Sequence, residues 1–180
     1  MLSEFVRDQT FTVAWFGLMV VVWLGWAQED PPAAWRKWLG LGSVAGIALA
    51  AGFGVLTARH WAGETALADR YHWFGVLVAV EVAAAGAGCA VLARRGADRW
   101  MAWWVALVVG AHFLPLAFLL DDASIGVFGL LQCAGLVLLG RFLRRSDVTA
   151  SRYVGPLMGA SLLAYAVVSA GLVALGGTAS

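Results

Sequence analysis

The stretch MAWWVALVVGAHFLPLAFLL, residues 101–120, runs for twenty residues without an Asp, Glu, Lys or Arg. A helix rising 1.5 Å per residue needs about twenty such residues to cross the roughly 30 Å hydrocarbon core of a bilayer. Charge gathers at both borders, with Arg94, Arg95, Asp98 and Arg99 before the stretch and Asp121 and Asp122 after it. The same alternation of apolar run and charged link continues in both directions. It predicts further spans over residues 10–28, 39–58, 71–93, 123–143 and 153–176.

The expected fold is therefore all-α, an integral membrane bundle of six transmembrane helices joined by short links and forming one domain over residues 1–180. Composition agrees. The chain is 62% hydrophobic with 13% charged residues, and its mean hydropathy is +0.81. One soluble core of this size could not bury so much apolar surface. Glu4, Arg7 and Asp8 precede the first run, whereas a cleaved leader wants a basic start and a small-residue cleavage site, so the first run reads as a true span. Pro31 and Pro32 stop the first helix, and the link around Gly63 and Glu64 has room for a short interfacial turn.

Basic residues fall unevenly. Arg36, Lys37, Arg94, Arg95, Arg99, Arg141, Arg144, Arg145 and Arg152 occupy the first, third and fifth links, against Arg7, Arg59 and Arg70 on the other side. The positive-inside rule then puts those three links in the cytoplasm and both termini outside. A single lysine, Lys37, among abundant Ala, Gly, Val and Trp points to a GC-rich bacterium and hence to an inner membrane. Trp26, Trp35, Trp38, Trp61, Trp73 and Trp100 stand near run ends, where indole favours the membrane interface. Gly42 and Gly46 form a small-x-x-x-small pair in the second run, and Gly86, Gly88, Gly126, Gly129, Ser161 and Ser169 add positions where helices can approach closely.

Four polar side chains lie deep in the apolar runs. Glu81 stands thirteen residues before Arg94, and His112 thirteen after Arg99. Gln132 stands thirteen before Arg145, and Tyr165 thirteen after Arg152. In antiparallel neighbours equal counts mean equal depth, about 20 Å from the cytoplasmic cluster. A carboxylate there costs at least ~2.5–3.5 kcal/mol, so Glu81 should face protein and find a partner, with His112 the nearest choice. Such a couple can exchange a proton, and Glu81 and His112 are the expected catalytic or coupling residues. The bland alternatives are a neutral imidazole bonded to backbone and an amide or phenol that only bridges helices. Pro115 follows His112 by one turn, lacks an N–H and should kink the helix. Trp104, Phe113 and Pro115, with Gln132 and Tyr165, are the expected binding residues; Trp15, Phe16, Trp23 and Trp103 flank the layer.

The segment VVGAHFLPLA, residues 108–117, resembles a Gly-x-His-Phe-Leu-Pro-Leu-Ala motif of small bacterial polytopic membrane proteins of unknown function. That resemblance implies importance for His112 and Pro115 and supplies no mechanism. Ala111 and Phe118 depart from the pattern, and Asp121 and Asp122 lie outside it.

A buried carboxylate among aromatic rings suits a cation or a developing carbocation. One function class is a proton-coupled transporter of a small lipophilic or cationic molecule. Another is an intramembrane cyclase or isomerase of a prenyl-like lipid with Glu81 or His112 as general acid and base. A third is a non-catalytic membrane subunit whose polar layer sets helix register. Asp121 and Asp122 are adjacent rather than a turn apart, so an interfacial cap suits them better than a metal-diphosphate site. His60 and His72 lie near the outer ends and His112 lies deep, a poor geometry for haem. Cys89 and Cys133 read as small interface residues. No metal site or cofactor is expected, the net charge of +1 leaves no nucleic-acid footprint, and the partners expected are the lipid bilayer, a small ligand and a second copy in a homo-oligomer.

Overall fold

A computed structural model describes residues 5–176 of the chain. Glu4 and Ser180 lie outside the described residues. Six long helices are found among the described residues, α1 (Val6–Trp26), α2 (Arg36–Arg59), α3 (Tyr71–Arg94), α4 (Met101–Leu119), α5 (Ala123–Leu143) and α6 (Ser151–Gly176). Each has the length and hydropathy of a membrane span, because backbone in lipid must satisfy its own hydrogen bonds and a helix does so within one segment. Short 3-10 turns at Ala27–Glu29, Ala33–Trp35, Ala68–Arg70 and Asp98–Trp100 fill the links. Between α4 and α5 the chain reverses at Asp121, which takes a left-handed backbone with φ 51°. Asp122 then caps α5 by accepting from the Ser124 amide.

The borders differ from expectation where polar side chains find partners. α1 begins at Val6 rather than residue 10, since Asp8, on its first turn, accepts from Thr65 Oγ1 (2.8 Å) and the Ala66 amide (2.7 Å). α6 begins two residues earlier than predicted, which places Pro156 in its second turn. α4 continues as helix through Pro115.

α1 is the central element on one side, packed between α2 and α6; α4 plays that part on the other, between α3 and α5. Contacts of α6 with α4 and α5 join the two groups. Lipid is as apolar as leucine, so close backbone approach and ring packing hold such helices together rather than escape from water. Phe16 of α1, Phe113 of α4, Phe128 of α5 and Tyr165 of α6 form one aromatic cluster with centroids 5.0–5.8 Å apart. Around it Val13, Val20, Leu136, Met158, Leu162 and Ala166 are sealed from the surface. α3 buries no residue completely.

Candidate functional site

The half-buried positions of α3 are Phe74, Leu77, Val78, Glu81, Ala84, Ala85, Gly88, Cys89 and Leu92, while Gly75, Ala79, Val82, Ala83 and Gly86 are exposed. That spacing is one stripe of a helix, and its partner is α4. Two contacts fasten the seam. Trp104 Nε1 donates to the Ala84 carbonyl at 3.0 Å, and its indole sits where a Cβ on Gly88 would lie 1.8 Å from Nε1. Two helical turns further along α4, His112 Nδ1 meets Glu81 Oε2 at 2.9 Å.

This last contact is close without being a well-aligned hydrogen bond. Nδ1 is enclosed, and the carboxylate oxygen lies off the line of a ring N–H. The contact is attractive in the Coulombic sense when the imidazole is protonated and the carboxyl is not. Exposure of the two side chains is 10% for His112 and 21% for Glu81. The pair thus sits at the margin of the α3–α4 seam, near the lipid-facing side and outside the aromatic cluster. Phe113 turns the other way, inward to Phe16 and Phe128, with His112 edge-on to its ring at 5.9 Å. Pro115 is exposed on the outside of α4.

Gln132 and Tyr165 do not join this pair. Gln132 Nε2 donates to Ser161 Oγ at 2.9 Å across α5 and α6. Tyr165 reaches instead to Ser124 Oγ at 2.8 Å, in the first turn of α5, and Ser124 Oγ donates to Asp122 Oδ1 at 2.6 Å. Equal residue counts predict one depth for all four residues, yet Gln132 is level with Ser161, four residues before Tyr165, and the phenol reaches the first turn of α5. The line from Tyr165 through Ser124 to Asp122 has one local signal in the sequence, the Asp-x-Ser cap. Its link to α6 has none.

Two lateral grooves lie elsewhere. One of about 540 Å³ runs between α1 and α2 beside Phe11, Trp15 and Trp61, and one of about 450 Å³ lies between α5 and α6. Among the described residues no three His, Cys, Asp or Glu side chains gather as metal ligands would. His60 Nδ1 is engaged with the Leu56 carbonyl at 2.9 Å. No family model, curated protein or solved structure matches the chain.

Proposed function

We propose that this is a bacterial inner-membrane protein that couples protonation of the Glu81–His112 pair to movement of a small lipophilic or cationic molecule across the bilayer. The observation that carries the reading is the 2.9 Å contact between two ionisable side chains midway along adjacent spans. Intramembrane ionisable residues are expensive and mark proton and substrate paths. A proton delivered to Glu81 removes the Coulombic attraction to His112, and the Trp104 bond then remains as a polar tie between α3 and α4. Because α3 buries nothing completely, it is the element free to shift when that attraction goes. The links rich in Arg face the cytoplasm in this reading, with both termini outside.

Proteoliposomes loaded with tetraphenylphosphonium test the coupling. An imposed pH gradient should drive its flux through the native chain, and Glu81→Gln should abolish the gradient dependence while the helical content is retained. Gradient-driven flux that survives Glu81→Gln, or none in the native protein, overturns the proposal. A reporter active only outside the cytoplasm, fused after Ser180, checks the orientation.

A further inference from the structure

The groove between α5 and α6 is a place where buried polarity lacks a partner. Its walls include Phe128 and Leu131 of α5 and Val168 of α6, and Gln132, Ser161 and Tyr165 supply the polar atoms. Leu131 is 67% and Val168 62% exposed, so the groove opens sideways into lipid. At about 450 Å³ it has the size of a small-molecule site. None of its lining residues belongs to the Glu81–His112 seam, so a ligand here is independent of the transport reading.

Hydrogen accounting defines what the groove lacks. Ser161 Oγ gives its only proton to the Met158 carbonyl at 3.0 Å and accepts from Gln132 Nε2. Ser124 gives its proton to Asp122, so in the 2.8 Å contact Tyr165 is the donor. Both hydroxyls that line the groove are thereby committed as donors and keep only lone pairs. Gln132 is 3% exposed, and its Oε1 has no hydrogen-bond partner among the described residues. An acceptor left unpaired in a dry interior has lost its water without a replacement bond. Beside these acceptors stands one further donor, the second amide hydrogen of Gln132. A hydroxyl, which donates and accepts, matches that set; an ether or a ketone does not. Among the described residues no charged side chain lines the groove, so nothing there offsets the cost of burying an ion.

We propose that the α5–α6 groove binds a neutral lipophilic alcohol or phenol that enters from the bilayer, its O–H donating to Gln132 Oε1 after a small turn of the amide and its apolar body lying along Phe128, Leu131 and Val168. An ordinary lipid chain fills the same volume but leaves Oε1 unpaired.

The test uses the full chain in nanodiscs, photolabelled with hexadecanol bearing a mid-chain diazirine or with its methyl ether. The alcohol should label α5 and α6 peptides about tenfold more than the ether at equal concentration, the ratio one buried hydrogen bond of about 1.4 kcal/mol provides. Unlabelled hexadecanol should compete and its ether should not. In Gln132→Leu the preference should vanish while labelling by the ether persists. Equal labelling by both probes in the native chain means the groove holds lipid without selection, and it overturns the proposal, as does label confined to other helices. A preference that survives Gln132→Leu overturns the role of Oε1.

Discussion

Gly17 and Gly46 are where α1 and α2 touch. A Cβ on Gly17 would lie 2.8 Å from the Ala50 amide nitrogen and 2.8 Å from the Gly46 carbonyl oxygen, and one on Gly46 would lie 2.7 Å from the Gly17 oxygen. Backbone cannot step aside as a flexible side chain does, so even one methyl forces the helices apart. Gly17→Ala should destabilise the bundle by about 1–3 kcal/mol in a detergent unfolding titration. Gly25, also on α1, has open space where its Cβ would be, and Gly25→Ala should leave stability unchanged or raise it slightly, as helix propensity requires. Equal effects from the two substitutions would remove the close-approach account. The same logic operates at Gly155, where a Cβ would lie 2.6 Å from the Trp23 carbonyl oxygen on α1, and at Gly129, where one would meet Phe113 and the Gly110 carbonyl of α4.

α3 is the least anchored helix, held to α4 by packing of one stripe, the Trp104 bond and the Glu81–His112 contact. Gly88 is the residue that admits the indole. Gly88→Leu should evict Trp104 and loosen the hairpin, so that trypsin cuts faster at Arg94 and Arg95, at the C-terminal end of α3. Gly86 faces open space two residues away, and Gly86→Leu should leave the digestion rate as in the native chain. Faster cleavage in both variants would point to a general effect of bulk on α3 rather than to loss of the Trp104 seat.

Links one, three and five lie together at one end of the molecule, and links two and four with the start of α1 at the other. At the basic end Arg152 donates to Asp30 Oδ1 at 2.7 Å, Thr149 donates to Asp30 Oδ2 at 3.2 Å, and Arg99 donates to the Ser146 carbonyl at 2.6 Å. At the opposite end Arg70 pairs with Asp121 at 2.5 Å and Arg7 donates to the Tyr71 hydroxyl at 2.6 Å. Hydrogen bonds from Arg152 hold Asp30 below the usual carboxylate value of 3.8, and Arg70 does the same for Asp121. A carboxyl whose folded value is lowered stabilises the fold above its unfolded value and loses that contribution as pH falls through the folded one. Stability should therefore decline below about pH 4. The double variant Asp30→Asn, Asp121→Asn should show a shallower decline there, with lower stability at neutral pH. Both sites are open to water, so the effect is small and shrinks with salt. An acid decline identical in the double variant would assign it to other groups.

Hydropathy and charge spacing were enough to place six helices, because lipid leaves a chain few options other than continuous helix and excludes charge from each span. They also brought Glu81 and His112 together, since neighbouring antiparallel helices of equal rise put equal counts at equal depth. The same count carried no signal for Tyr165 bonding to Ser124 in the first turn of α5 or for Gln132 choosing Ser161. Nor did it show that α1 and α4 are the central elements while α3 stands at the edge. Every helix is apolar around most of its circumference, so in lipid no face announces its partner by hydrophobicity. Gly42 and Gly46 were legible as small residues; that Gly46 meets Gly17 and Gly42 meets Leu24 depends on which surfaces interlock, and shape complementarity between helices exists only once the helices are assembled.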